Sequence, residues 1–300
     1  MSLDLDKRQR AMLREMGVRV WQPMPVVAEV QPVEAAINTI ATGARIERAQ
    51  PRFDAEKPVV APARTAPAPV AAPAPRQVPG LPPRPAGIDR MDWSALQAAV
   101  SGCRACALCE SRKNTVFGVG PAAADGVAPQ VDWLIVGEAP GENEDLAGEP
   151  FVGQAGKLLD NMLLAIGLQR GDDAPARTGA SRSVFITNVL KCRPPANRNP
   201  EPAEVAQCEP YLKRQVELLR PKMILALGKF AAQSLLQDSV PEVQKIPLGK
   251  LRGQVHHYLG VPVVVSYHPA YLLRSLGDKA KAWDDLCLAL SVAPTVVRSA

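Results

Sequence analysis

Four short aliphatic runs constrain this chain more than any other feature: residues 131–136 (VDWLIV), 184–189 (VFITNV), 223–227 (MILAL) and 261–266 (VPVVVS). Each is rich in branched or aliphatic residues and is followed by a glycine, proline or polar loop. That is the look of strands covered on both faces, with no alternation of apolar and polar positions. The intervals between them read as helices. Residues 155–166 (AGKLLDNMLLAI) put Leu158, Leu159, Met162 and Ile166 on one face, and 202–219, 230–236 and 279–292 supply further helical segments. Residues 93–100 (WSALQAAV) form a short helix leading into Cys103. Strands alternating with helices predict an α/β domain of three layers, α/β/α, around a central four-stranded parallel sheet. In such folds ligands bind beyond the carboxyl ends of the strands, so function is expected in the loops that follow them.

The first third of the chain obeys different rules. Of its 30 prolines, many precede residue 90, and aromatic residues almost vanish after Trp21. The stretch PRFDAEKPVVAPARTAPAPVAAPAPRQVPGLPPRPAG supports neither a ladder nor an ordinary helix and is expected to be a solvated polyproline-type spacer. Residues 4–16, with Leu5, Met12 and Leu13 among charges, have a helical pattern. The expected organisation is therefore a short helix or docking peptide at 1–21, a disordered linker at 22–88 and a folded domain at 89–295. The leader is a spacer on the plainer reading and a tether for a protein partner on the sharper one.

Net charge is +5, which suits a polyanionic partner without demanding one. No run approaches the roughly 18 apolar residues of a membrane span. The charged start MSLDLDKRQR is unlike a secretory signal, so a cytoplasmic location and no membrane contact are expected. Six cysteines in a reducing compartment argue against a disulfide framework. Cys103 and Cys106 make a Cys-x-x-Cys before the first strand, while Cys192 and Cys208 follow the second strand. Four thiolates from two segments can bind zinc or an iron–sulfur cluster; the second short knuckle of a zinc ribbon is missing.

Three strand-end loops carry the chemistry. The first, GEAPGENEDLAGEPFVGQAG from Gly137 to Gly156, is neither a Walker A nor a GxGxxG motif, and its acids disfavour a phosphate cradle. The second, NVLKCRPPANRNP from Asn188, places an amide at a strand end. There it can pair with a donor and an acceptor together, as the edge of a pyrimidine presents them, or serve simply as a turn former. The third, HPAYLLR, sets His268, one of three histidines, where the last strand meets the crevice.

These three segments, in this order, resemble the signature segments of the family 4, iron–sulfur, uracil-DNA glycosylases, and with the cysteines the likeness covers residues 100 to 290. The resemblance implies a uracil-DNA glycosylase-like fold, a monomer, and hydrolysis of the N-glycosidic bond of deoxyuridine in DNA. It implies a [4Fe-4S] cluster on Cys103, Cys106, Cys192 and Cys208, with Cys109 and Cys287 outside the ligand set. Phe151 would stack on a flipped uracil, Asn188 would read its polar edge, and a neutral His268 would donate to the oxyanion developing at O2. Some uracil glycosylases carry an Asp where this chain has Ala139, which leaves Glu138 as the group to orient or deprotonate water, with backbone around Ala139 assisting. Glu144 would line the C5 side against the thymine methyl. Lys191, Arg193, Arg198, Lys229, Lys250, Arg252 and Arg274 are candidate phosphate contacts, and Leu272 and Leu273 candidate wedges for the minor groove. Two alternatives stand beside this reading. One is a glycosylase trapped covalently on DNA, disfavoured because GLQRGDDAPARTGASRS holds no histidine. The other is a catalytically inactive iron–sulfur adaptor that binds DNA.

Overall fold

The computed structural model describes residues 82–124, 126–170 and 183–293. The expected N-terminal helix, most of the proline-rich leader and residues 171–182 of the loop weighed for covalent trapping lie outside the described residues. Helices α1 (Trp93–Ser101) and α2 (Leu108–Ser111) precede strand β1 (Trp133–Gly137). There follow α3 (Glu142–Ala147), α4 (Gln154–Ala165), β2 (Val184–Asn188), α5 (Pro202–Leu219), β3 (Met223–Leu227), α6 (Lys229–Leu236) and α7 (Leu248–Leu251). The chain closes with β4 (Val255–Tyr258), β5 (Val261–Ser266), α8 (Pro269–Leu272) and α9 (Lys279–Val292).

The sheet has five strands in the order β2-β1-β3-β5-β4. The first four of these are parallel, as expected, but β4 is an added antiparallel edge pairing with β5, His256 opposite Val263. The four-strand expectation is corrected here. The segment VHHY of β4 is short, mostly half-buried or exposed, and gives no aliphatic run to find. An antiparallel strand at the margin needs only one covered face.

Inside the sheet the side chains divide by period two. Leu134, Val136, Phe185, Ile224, Ala226, Val263 and Val265 face one core with Trp93, Leu96, Tyr211, Val216 and Leu235. Trp133, Ile135, Ile186, Met223, Leu225 and Val264 face the other with Leu159, Met162, Leu163, Trp283 and Leu286. Each buried Val, Leu, Ile, Phe or Met side chain among them contributes roughly 1.5–3 kcal/mol. The first core reaches in front of Asp89: Ile88 is buried in it, and Arg84 donates from Nη1 to the Ala206 carbonyl at 3.2 Å. A third, smaller core gathers Cys106, Leu108, Leu190, Cys192 and Cys208, with Ala139 packed against it.

Strand register fixes where the loops emerge. Gly137 stands opposite Asn188, and Leu227 opposite Ser266. Connections leave β1 toward β2 on one side and enter β3 on the other, so the strand order reverses beside β1. All three signature loops consequently open onto one end of the sheet.

Candidate active site

At that end lies a crevice of about 690 Å³, within the range of ligand pockets. Glu138, Ala139, Glu144, Phe151, Asn188, Lys229, His268 and Arg274 all line it, drawn from four separate strand ends and the helices after them. A second hollow of about 500 Å³ lies between residues 82–89 and α5; none of the candidate residues reaches it.

Close approach explains the glycine at the head of the first loop. A Cβ on Gly137 would sit 2.3 Å from Asn188 Oδ1 and 2.6 Å from the Phe151 ring. Asn188 is buried, and its Oδ1 has no hydrogen-bond partner. A buried acceptor left unpaired costs free energy, so one placed in a crevice marks where a ligand donor belongs. Phe151 is buried in a left-handed conformation, φ 56°, and its ring stacks on His268 with centroids 5.4 Å apart and planes 26° from parallel.

His268 caps α8: its Nδ1 accepts from the Ala270 N–H at 3.2 Å. With Nδ1 an acceptor, the ring proton resides on Nε2. Burial pushes its pKa down to about 4, with the Glu144 charge opposing and Arg274 reinforcing, so the ring is neutral near pH 7. Glu138 goes the other way: burial alone raises its carboxyl to about 7. Its carbonyl accepts from Leu190 N–H, as that of Gly137 does from Val189, so the two signature loops are sewn together by backbone.

Glu144 lines the crevice, but its carboxylate also accepts from three backbone groups: Gly141 at 3.1 Å, Val152 at 3.0 Å and Gly153 at 3.2 Å. It clamps the two halves of the first loop, a task with no signal in the sequence beyond its place three residues into a helix.

The four cysteines also converge. Cys103 acts electrostatically on Cys106, Cys192 and Cys208 alike; Cys109 acts on Cys192 and Arg112. Burial drives the Cys106 thiol up to about 11 and raises Cys192 and Cys208 as well. Thiols so placed stay protonated at neutral pH unless a metal takes them, and a donor set of three buried sulfurs and the half-buried Cys103 fits a thiolate-ligated centre. Among the described residues no group of three or more His, Cys, Asp and Glu side chains closes to the spacing of a single metal ion. Arg112, which sequence reasoning passed over, donates from Nη1 to Cys192 Sγ at 3.1 Å and from Nη2 to the Ser101 carbonyl.

Several expected DNA contacts are placed otherwise. Leu272 is fully buried in the second core and cannot act as a wedge; Leu273 is 42% exposed and Leu276, not singled out from sequence, 62%. Lys191 is buried, its Nζ bonded at 2.7 Å to each of Thr187 Oγ1, the Asn188 carbonyl and Gln215 Oε1, so it positions the Asn188 strand end rather than meeting phosphate. Arg252 turns inward: Nε donates to Asp285 at 2.7 Å, and the guanidinium lies over the Tyr267 ring. Arg198 lines the crevice but pairs with Glu204 through both terminal nitrogens, and Arg193 bonds Asn197. Lys229, Lys250 and Arg274 are exposed, Lys229 and Arg274 at the crevice itself.

The model of the uracil DNA glycosylase superfamily matches residues 124–287. A type-4 uracil-DNA glycosylase of Archaeoglobus fulgidus is 44% identical over 178 residues, which is 58% of this chain and 79% of the relative. One of Pyrobaculum aerophilum is 40% identical over 202 residues, 66% of this chain and 93% of the relative. The chain belongs to the type-4 branch of the uracil-DNA glycosylase superfamily. A type-4 protein of Thermotoga maritima is 40% identical over 185 residues, 61% of this chain and 83% of the relative. The type-5 branch is more distant, at 32% identity over 148 residues for a protein of Pyrobaculum aerophilum, 48% of this chain and 63% of the relative. Type-4 membership accords with the five-stranded, mostly parallel sheet and with a crevice at its carboxyl end.

Proposed function

We propose that this chain is a uracil-DNA glycosylase of base excision repair, which hydrolyses the N-glycosidic bond of deoxyuridine in DNA and leaves an abasic site. One observation carries the site assignment: a buried, unpartnered Asn188 Oδ1 beside a neutral His268 whose free nitrogen bears the proton. A flipped uracil offers N3–H to that oxygen and O4 to the same amide, and Phe151 supplies the stacking face. As the bond from C1′ to N1 breaks, charge collects on the base. The His268 Nε2–H donates to O2, an interaction that strengthens only as the oxyanion forms. Glu138, half ionised near pH 7, takes the proton of the water that adds to C1′. Glu144 closes the C5 side, where a thymine methyl would meet it.

Lys229 and Arg274, which line the crevice, would neutralise phosphates, and the exposed Leu273 would fill the gap left in the stack. Cys103, Cys106, Cys192 and Cys208 would hold a [4Fe-4S] cluster. When bound it would join the segment before β1 to the loop after β2 and carry one-electron redox capacity; base excision itself is assigned to side chains. The membrane plays no part in this reading: among the described residues no helix is long and apolar enough to cross one.

The test is single-turnover cleavage of a uracil-containing oligonucleotide, with absorbance near ~400 nm read on the same samples. Abasic sites formed by brown protein support both parts. Brown protein that binds DNA and leaves uracil in place would favour the inactive adaptor.

A further inference from the structure

Phe151 occupies a backbone conformation that bulky side chains rarely adopt, and something outside it must hold it there. We propose that Arg170 is a positioning residue for uracil excision, fixing the peptide at Phe151 so that its ring stays aligned on His268. The inference rests on reading Phe151 as the stacking face for uracil.

Arg170 follows the end of α4, outside the three signature segments, and does not line the crevice. Its guanidinium makes three bonds at once. Nη1 donates to the Pro150 carbonyl at 2.8 Å, Nη2 to the Phe151 carbonyl at 3.0 Å, and Nε to Asp160 Oδ1 at 3.0 Å. The side chain is only 19% exposed. Asp160 belongs to α4, so the helix orients the guanidinium and the guanidinium orients the loop.

Two neighbours show that the Phe151 carbonyl is held in one direction. A Cβ at Gly156 would fall 1.7 Å from that oxygen, so α4 packs directly against it. On the other side of the same peptide, the Val152 N–H donates to Glu144. Carbonyl and amide are thus gripped from opposite sides, which fixes the backbone from which the ring projects. A planar fork makes this possible; an ammonium is a point donor and cannot span two carbonyls and a carboxylate in that geometry.

The experiment compares Arg170→Met, Arg170→Lys, Phe151→Leu and the Arg170→Met/Phe151→Leu double variant in the full chain. Single-turnover excision is measured alongside affinity for DNA bearing an abasic-site analogue, which has no base to stack. Arg170→Met is expected to slow excision roughly tenfold or more, because small misplacements of a positioning group are costly, while abasic-site affinity holds. Arg170→Lys should recover only part of the rate. The double variant should be no slower than Phe151→Leu alone, the mark of two residues acting as one unit. Should Arg170→Met not fold, Asp160→Asn removes the anchor of the guanidinium and should show the same non-additivity with Phe151→Leu.

Full excision by Arg170→Met, additive losses, or abasic-site affinity falling in step with the rate would overturn the assignment of Arg170. Full excision by Phe151→Leu would instead remove the stacking reading beneath it.

Discussion

Glu138 and Gly137 are adjacent residues governed by opposite needs, one by the loss of water and the other by the absence of a side chain. Because burial raises the Glu138 carboxyl to about 7, and because a base works only when ionised, single-turnover excision should climb with pH through that value and then level. His268, held near 4, is already neutral across the climb and adds no limb of its own. Glu138→Gln should be slow and flat over the same range. The same shift has a stability counterpart. Between the ordinary carboxyl value of 4.5 and about 7 the folded chain keeps a proton that the unfolded chain has lost, so this residue's contribution to stability falls as pH rises through that window. At Gly137 even one methyl collides with Asn188 and Phe151. Gly137→Ala should leave a folded protein, by circular dichroism, whose excision rate is down a hundredfold or more, on the order expected when reacting groups are displaced by about an ångström. That Glu138, Asn188, Phe151 and His268 gather at one crevice was legible in the sequence, because each stands in a distinctive segment that follows or ends a strand. Lys191, Arg112 and Arg170 were not: each looks like an ordinary surface cation until a distant carbonyl, amide or thiol is brought to it.

The aliphatic runs declared the four parallel strands because burial on both faces leaves an unbroken apolar signature, and the helices between them followed from their period. Strand β4 carries no such signature, since an edge strand is asked to cover only one side. Helix α8 shows the limit of pattern at finer grain. In HPAYLLR two leucines stand side by side, and sequence gives no reason to treat them differently; a single helical turn sends Leu272 into the core and leaves Leu273 outside. Their substitutions should part accordingly. Leu272→Ala is expected to cost about 2–5 kcal/mol in chemical denaturation, as large-to-small changes in packed cores do. Leu273→Ala should leave the unfolding curve unchanged and weaken excision from duplex DNA more than from single strands, where no stack has to be filled.

At the scale of the molecule, the cysteine core and the crevice share a wall. Ala139, beside the proposed base, packs against the core formed by Cys106, Leu108, Leu190, Cys192 and Cys208. Cys192→Ser should bleach the protein, lower its melting temperature and slow excision together, since a thiolate-bound centre adds its binding energy to folding. Cys109→Ser should stay brown, because the proposed ligand set is Cys103, Cys106, Cys192 and Cys208. Phe151 and His268 are held against each other by bonds within the protein, from Arg170 and Glu144 on the Phe151 peptide and from the Ala270 N–H on His268. A recess finished in advance does not ask whether a base arrives on a strand or alone. Liberated uracil can therefore re-enter and compete with the next lesion, so turnover should slow as product accumulates. The supply of free pyrimidine around the enzyme then becomes a brake on how fast it moves from one site of damage to another.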